Sequence, residues 1–287
     1  MKKPRNDNQG VVLPKGFIFS LKTLELFHPY LGMRFAAFFF SKPFKYKMPL
    51  REAPILSKAK KKTILIKGLH KRVVCYNWQG KGPKILLMHG WSGRATNFYK
   101  IIERLMLSNY NVYAFDAPAH GESDGLITNL PEFIISQEEL IKKLGPFEAI
   151  LGHSGGGITS CEVCVRISKI KKLILISPFD KMKDIFEKYF DLIQLGEKSK
   201  KLMISYFFRK TQRNILEFSG SSLAKKIKAK TLVIHDEDDK EVEVFNAINI
   251  EKNLKNSSLM ITQGLGHRRI LRDERVIDEI IEFLNRN

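Results

Sequence analysis

Cysteine is scarce in this chain of 287 residues, which contains only Cys75, Cys161 and Cys164. Three cysteines are too few for a disulfide framework, so the composition favours a reducing compartment. The pair Cys161-x-x-Cys164 has no second pair at metal-binding spacing. We therefore interpret these residues as small core side chains on a helix, with redox or metal chemistry as the alternative.

Long hydrophobic runs are missing as well. The longest run near the start is FAAFFF at residues 35–40, whereas a membrane-spanning helix needs about 20 apolar residues. The basic residues at positions 2, 3 and 5 resemble the start of a signal peptide, but polar residues 6–9 stand where its apolar segment belongs. From these absences we expect a soluble, cytoplasmic protein.

Acidic residues are outnumbered by basic ones, 30 to 49, which gives a net charge of +19. Such an excess attracts anionic partners, either nucleic acid or a membrane surface. No Arg-rich tract or zinc-ligand spacing accompanies the charge, so we expect no nucleic-acid partner. A solvated basic surface is the simplest interpretation, and peripheral contact with an anionic membrane stays open.

From about residue 61, short β-branched runs alternate with helical patterns, which predicts an α/β fold with a mostly parallel sheet. Two runs at residues 63–67 and 72–78 predict an antiparallel hairpin at its start. Continuous apolar runs typical of buried strands follow at residues 85–88, 112–115, 149–151, 173–176, 232–234 and 259–261. Helical periodicity covers residues 97–107, 131–144, 155–167, 242–254 and 270–284.

Two segments do not fit this alternation. Roughly fifty residues separate the strand before Ser177 from Lys230, more than a crossover helix needs, so a small helical insertion is predicted at about residues 179–229. Residues 1–60 are rich in Phe, Lys and Pro and are expected to form a helical or extended arm. We expect the arm to pack its Phe residues on the same domain, and the alternative is an amphipathic helix around residues 21–40 that binds a membrane surface.

Residues 152–156 read GHSGG, directly after an apolar strand and at the start of a helical pattern. This is the context of a G-x-S-x-G nucleophile elbow, a turn too tight for bulky side chains two positions away from its central residue. The turn places Ser154 at a helix N-terminus, where negative charge is stabilised. Ser154 is therefore the candidate nucleophile.

A nucleophilic serine needs a histidine to take its proton and a carboxylate to orient that histidine. Two polar segments follow later strands, HDEDD at residues 235–239 and GLGH at residues 264–267. Both lie at the carboxyl ends of strands, which is the edge where open parallel sheets build their sites. These segments supply the candidate acid, Asp239, and the candidate base, His267.

With these motifs in this order, residues 61–287 resemble the α/β-hydrolase fold superfamily. The resemblance implies helices on both faces of the sheet and a small helical cap insertion. The acid motif of the superfamily reads H-G-x-x-D-x-x-V, and residues 235–242 match it except that Asp236 replaces the glycine. The match favours Asp239 as the acid. Asp238 is its nearest rival, Asp180 is a more distant one, and a solvated acidic turn is the structural alternative.

The resemblance also implies an oxyanion hole made of two backbone N–H groups. One belongs to Gly155, directly after the nucleophile, and the other to Trp91 in the segment HGW at residues 89–91. The Trp91 ring is alternatively a wall of the acyl pocket. His89 is expected to have a structural role in this loop.

Several polar residues near these motifs are expected to be structural. Residues 115–123 resemble the superfamily's D-x-x-G-x-G-x-S segment, so Asp116 and His120 are assigned to shaping the sheet edge. His153 is expected to pack beneath the elbow. The pair at residues 268–269 is two arginines, which either bind an anionic substrate group or face solvent.

Together these residues predict a serine hydrolase that cleaves a carboxylic ester or thioester of a small-molecule acyl substrate through an acyl-enzyme. We expect neither a metal nor an organic cofactor. Aromatic residues Phe186, Phe190 and Tyr206 of the insertion would line an apolar acyl pocket, or else pack the insertion itself. The alternatives are an acyltransferase or amidase on the same triad, or a non-catalytic binding protein of this fold.

Overall fold

The computed structural model describes residues 15–286, which form two compact units. The sheet unit comprises residues 42–180 and 219–286, and the helical unit comprises residues 15–41 and 181–218. These boundaries differ from the predicted ones at residues 60, 179 and 229. Residues 42–60 and 219–229 belong to the sheet unit.

Strands and helices alternate over most of the sheet unit. The strands are β1 (Lys60–Ile66), β2 (Lys71–Trp78), β3 (Lys84–Met88), β4 (Asn111–Phe115), β5 (Ala149–His153), β6 (Lys172–Ile176), β7 (Lys230–Asp236) and β8 (Ser257–Thr262). The helices of both units are α1 (Lys15–Phe27), α2 (Pro29–Ser41), α3 (Ala53–Ser57), α4 (Tyr99–Leu107), α5 (Leu130–Leu144), α6 (Gly155–Arg166), α7 (Met182–Ile193), α8 (Glu197–Thr211), α9 (Gly220–Ala224), α10 (Phe245–Glu251), α11 (Gly266–Arg269) and α12 (Glu274–Asn285). Short 3-10 turns occur beside several of them.

The eight strands form one sheet in the order β1-β2-β4-β3-β5-β6-β7-β8. β2 pairs antiparallel with both β1 and β4, and the remaining neighbours are parallel. The predicted mostly parallel sheet and its opening hairpin are thus confirmed. Because parallel neighbours point the same way, the loops after β3, β5, β7 and β8 all leave from one edge of the sheet.

Helices cover both faces of the sheet, as the continuous apolar strands require. On one face, Leu87, Leu151 and Ile234 of the strands share a buried cluster with Ile101 of α4 and Ile280 of α12. Helices α5 and α6 pack on each other and lie outside that cluster, and α6 contacts β5 and β6. This layering is the fold class that the sequence predicted.

The three cysteines are buried and unpaired in the sheet unit, with Cys161 and Cys164 in α6 and Cys75 in β2. Burial raises the pKa of the Cys161 thiol to about 12. A thiol with so high a pKa is not ionised near neutral pH, so core packing is its role.

The helical unit combines the N-terminal helices α1 and α2 with α7 and α8 of the insertion. The prediction of one helix around residues 21–40 is wrong, because the chain breaks at His28, where the following Pro29 disfavours helical backbone. The Phe17 and Phe39 rings pack edge to face at 4.9 Å, and the Phe40 ring lies 4.6 Å from Phe186 of α7. Among residues 15–286 no helix combines the length and hydropathy needed to cross a bilayer.

Candidate active site

The turn between β5 and α6 holds Ser154 in a strained backbone conformation, with φ at +53°. The turn is tight because glycines flank it. A Cβ on Gly152 would lie 2.5 Å from the Gly156 carbonyl oxygen, and a Cβ on Gly156 would lie 2.3 Å from the Met88 carbonyl oxygen. Backbone therefore packs directly on backbone, and no side chain fits at either position.

The loop after β3 lies against this turn. A Cβ on Gly90 would stand 2.9 Å from the Ser154 Cβ, and a Cβ on Gly155 would stand 3.8 Å from the Trp91 nitrogen. The backbone nitrogen of Trp91 is thus a close neighbour of Gly155. The Trp91 ring stacks on Phe133 with centroids 6.1 Å apart, and 37% of the residue is exposed.

Asp239 and His267 are buried and joined by a hydrogen bond of 2.7 Å between Asp239 Oδ2 and His267 Nδ1. The second carboxylate oxygen accepts from the backbone N–H groups of Glu241 and Val242, each at 2.9 Å. Burial acts to raise the pKa of Asp239, but hydrogen bonds from His235 and His267 outweigh it and lower the pKa below its usual range. Asp239 is therefore an anion at neutral pH, which holds the proton of His267 on Nδ1.

Asp236, which stands where the superfamily motif has glycine, is fully buried at the end of β7. Its carboxylate accepts from the Thr262 hydroxyl at 2.7 Å and from the backbone N–H groups of Leu265 and Gly266 at 3.1 and 2.8 Å. Burial acts to raise the pKa of Asp236, and these hydrogen bonds lower it overall. Asp236 thus ties the end of β7 to the loop that carries His267.

The two rival carboxylates have other partners. Asp238 is exposed and accepts from the backbone N–H of Gly264 at 2.8 Å. Asp180, after β6, accepts from the Ser221 N–H at 2.7 Å and from the Ser219 hydroxyl at 3.0 Å. Of the three candidates, Asp239 is the one hydrogen-bonded to His267.

A histidine contact connects the Ser154 turn to the His267 loop. His153 Nε2 donates to the His267 carbonyl oxygen at 2.8 Å, and the two rings lie 4.7 Å apart. Burial, with the neighbouring His267 second, lowers the pKa of His153 to about 3, so His153 is neutral. His153 packs as expected, and its contact brings His267 beside the residue that precedes Ser154.

His89 and His120 are structural, as interpreted from the sequence. His89 Nε2 accepts from the Ala117 N–H at 2.9 Å and its Nδ1 lies 2.7 Å from the Gly90 carbonyl oxygen. His120 Nε2 accepts from the Ser92 N–H at 2.9 Å. Burial lowers the pKa of both rings, so both stay neutral and hold the loops after β3 and β4 together.

The remaining polar candidates also have structural partners. Asp116 accepts from the Ala95 N–H at 2.8 Å. Arg268 forms an exposed ion pair with Glu241 at 3.1 Å, and Arg269 donates to two carbonyls of its own loop. The sequence did not single out His235, whose Nε2 lies 3.4 Å from Asp239 Oδ2 and 2.9 Å from the Val242 carbonyl oxygen.

The aromatic candidates of the insertion lie in the helical unit. The Phe186 ring, buried almost completely, packs on Phe190 at 5.6 Å and on Phe207 at 5.5 Å. The Arg34 guanidinium lies over the Tyr206 ring, 5.3 Å from its centroid. These contacts give the three residues packing partners within their own unit, and their place in an acyl pocket stays a prediction.

Comparison with known proteins adds relatives to this geometry. Residues 81–215 match the profile of the hydrolase family described as serine aminopeptidase, S33. The chain is 30% identical over 155 residues to a proline iminopeptidase of Clostridioides difficile, covering 51% of this chain and 48% of the relative. It is 29% identical over 104 residues to a pimeloyl-[acyl-carrier protein] methyl ester esterase of Vibrio vulnificus, covering 34% of this chain and 38% of the relative. Each match spans less than half of the relative's length.

A solved structure extends the likeness over most of the chain. Est1E of Butyrivibrio proteoclasticus superposes with a TM-score of 0.63 at 19% identity, covering 78% of this chain and all of that one. The chain therefore has the α/β-hydrolase fold that its motifs implied.

Proposed function

We propose that this protein is a serine hydrolase that cleaves carboxylic esters or thioesters through a Ser154-His267-Asp239 triad. The observation that supports it best is the buried hydrogen bond of 2.7 Å between Asp239 and His267, beside the strained turn of Ser154. The methyl ester esterases among the relatives favour ester substrates over other acyl compounds.

The first chemical step is attack of the Ser154 Oγ on the substrate carbonyl carbon. His267 takes the hydroxyl proton on Nε2, which is available because Asp239 holds the other ring proton on Nδ1. The resulting imidazolium is stabilised by the Asp239 anion, whose charge persists at neutral pH because its pKa is lowered.

Negative charge that develops on the carbonyl oxygen needs donors already in place. The backbone N–H groups of Gly155 and Trp91 are the proposed donors, and each is worth about 10²-fold or more in rate. Collapse of the tetrahedral intermediate expels the alcohol or thiol, which receives its proton from His267. Water then attacks the acyl-Ser154 ester while His267 takes a proton from it. His267 returns this proton to the Ser154 oxygen, which releases the acid and restores the serine.

The experiment compares the purified chain with Ser154→Ala, using a fluorophosphonate probe and p-nitrophenyl esters of graded chain length. We expect the wild type to be labelled and to turn over esters, and the variant to lose labelling and at least about 10⁴-fold in kcat. The chain-length optimum measures the depth of the acyl pocket.

The matched control is Ser177→Ala, which removes the hydroxyl of a fully buried serine with no hydrogen-bond partner. This variant is expected to keep both labelling and turnover. Absence of labelling in folded wild type would overturn the hydrolase assignment and favour a non-catalytic binding protein. Labelling retained in Ser154→Ala would place the nucleophile elsewhere.

A second candidate is amide cleavage on the same triad, favoured by the match to the serine aminopeptidase family and to a proline iminopeptidase. The triad alone does not distinguish the two, since both proceed through an acyl-enzyme. Aminoacyl p-nitroanilides, including the prolyl compound, assayed beside the esters decide between them by kcat/KM. Acyl transfer would instead be revealed if an added small alcohol increased release of the p-nitrophenol leaving group without increasing formation of the free acid.

A further inference from the structure

The connection between α1 and α2 exposes a group of large apolar side chains. Leu26 and Phe27 at the end of α1 are 85% and 77% exposed, and Tyr30 and Leu31 at the start of α2 are 45% and 46% exposed. We call these four side chains the hairpin tip. Large apolar groups that lie together at a surface mark a place of interaction with another apolar phase.

The hairpin tip is distinct from the side of the same helices that packs inside the helical unit. Leu21 of α1 and Met33 and Ala36 of α2 are completely buried. The two helices therefore pack inside the helical unit through other side chains than those of the hairpin tip. Packing of the helices does not require the tip residues.

Basic side chains lie next to the hairpin tip. The first turn of α8 is tied to the connection, because the Ser199 hydroxyl donates to the Pro29 carbonyl oxygen at 3.0 Å. Lys198 and Lys201 in this part of α8 are exposed. The turn's one acid, Glu197, forms an ion pair of 2.7 Å with Lys200.

The one acid of the two hairpin helices is engaged in a hydrogen bond. Glu25 is the single acid of residues 15–41, and its carboxylate accepts from the Gly196 N–H at 2.9 Å. Over residues 15–41 and 181–218, lysines and arginines outnumber acids twelve to six. The surroundings of the tip thus complement an anionic surface.

We propose that the hairpin tip inserts into the interfacial layer of an anionic membrane, with Lys198 and Lys201 contacting the lipid phosphates. Leucine and aromatic side chains beside lysines suit this layer, where apolar groups enter the acyl boundary and ammonium groups stay at the headgroups. A symmetric contact between two copies fits less well, since it brings the same lysines of both copies together. This binding does not depend on the proposed ester hydrolysis.

The experiment is co-sedimentation of the full chain with vesicles of phosphatidylcholine alone or mixed with phosphatidylglycerol. We expect binding to the mixed vesicles that weakens as salt is raised. Replacing Leu26 and Phe27 together by Ser is expected to weaken binding at least about tenfold. Replacing Lys198 and Lys201 together by Gln is expected to weaken it about thirtyfold.

Matched controls lie on the sheet unit. Leu107→Ser changes a leucine that is 79% exposed, and the pair Lys225→Gln and Lys226→Gln removes two exposed lysines. These controls are expected to bind like wild type. Phe27→Trp gives a second measurement that keeps the apolar surface of the tip. On mixed vesicles we expect its fluorescence to shift to the blue and to be quenched by brominated lipid.

Three results would overturn the proposal. One is equal binding to neutral and anionic vesicles, or none to either. Another is unchanged binding of the tip variant together with no spectral shift of Phe27→Trp. The third is a wild-type dimer in light scattering that becomes a monomer when Leu26 and Phe27 are replaced, which would assign the hairpin tip to a second copy of this chain.

Discussion

The turn that carries Ser154 and the loops that carry Asp239 and His267 meet at one sheet edge but are held by different forces. The Ser154 turn is shaped by missing side chains, because any Cβ at Gly152 or Gly156 would overlap backbone. The two loops are shaped by buried carboxylates that accept backbone N–H groups. Steric fit tolerates no substitution at its contact points, whereas a hydrogen-bonded loop can be held by more than one arrangement of acceptors.

The departure at Asp236 illustrates this freedom. Where the superfamily motif has a glycine, this chain has a carboxylate that binds the loop of His267 through Leu265 and Gly266. Asp236 adds a connection between the loops of Asp239 and His267, and Asp239 still meets His267 at 2.7 Å. The loops of Asp239 and His267 therefore accept a change in chemistry that the Ser154 turn would not.

The sharpest test of the steric side is Gly156→Ala, which has the largest expected effect. Its Cβ would lie 2.3 Å from the Met88 carbonyl oxygen and 2.5 Å from that of His89, so strand and helix must separate. We expect a loss of about 5 kcal/mol or more in the free energy of unfolding, close to the whole stability of many domains. Urea denaturation, or the yield of folded protein, measures it.

Gly157→Ala is the control for this test. It lies one residue further along α6, and its Cβ would meet the nearest atoms at 3.4 Å, an ordinary contact. We expect the free energy of unfolding to change by no more than about 1 kcal/mol, since alanine also favours the helix. Equal destabilisation by both variants would show that the steric account of the turn is wrong.

The next effect is on catalysis and separates two neighbouring carboxylates. Asp239→Asn keeps the shape of the side chain but no longer holds the proton of His267 on Nδ1, so kcat for a p-nitrophenyl ester should fall by about 10⁴-fold. Asp238→Asn, which alters an exposed acceptor of the Gly264 N–H, should change kcat little. Similar losses in both variants would contradict the assignment of Asp239 as the triad acid.

The sequence predicted the fold well because the fold rests on repeated local patterns. Each buried strand appears as a continuous apolar run, and the glycines around Ser154 leave a visible motif since sterics forbid other residues there. The role of Asp236 had no such signal. Asp236 contacts a loop 29 and 30 residues further on, and no local pattern reports so distant a hydrogen bond.

The N-terminal segment was misjudged for a related reason. Apolar periodicity continues across residues 21–40, which suggested one helix, but Pro29 ends helical backbone at His28. The grouping of α1 and α2 with α7 and α8 also escaped the sequence, because it joins segments about 150 residues apart, as in the bond of Tyr189 to the Ala36 carbonyl. Such contacts are decided by packing partners that periodicity does not identify.

A smaller effect tests the hydrogen-bonded side directly. Asp236→Asn replaces a charged acceptor by an amide, whose NH₂ group must face either the Gly266 N–H donor at Oδ1 or the Leu265 N–H donor at Oδ2. We expect a loss of about 2–4 kcal/mol in the free energy of unfolding at pH 7. Thr262→Val, which removes one of the donors to Asp236, should cost less. If Asp236→Asn were as stable as wild type, Asp236 would not hold this loop.

The dependence of stability on pH gives the finest test of the same contrast. The pKa values of Asp236 and Asp239 are lowered in the folded chain, whereas an Asp in the unfolded chain has a pKa of about 3.9. Below about pH 5 the unfolded chain therefore binds more protons than the folded chain. The stabilisation is therefore present above that pH and is lost as the pH falls towards the folded pKa values. Urea denaturation at pH 7, 5 and 4 should show a steeper decline for wild type than for Asp236→Asn, whereas Gly157→Ala should follow wild type. Parallel curves for wild type and Asp236→Asn would mean that the carboxylate's charge does not hold the loop, and shape alone would then govern both sides of the site.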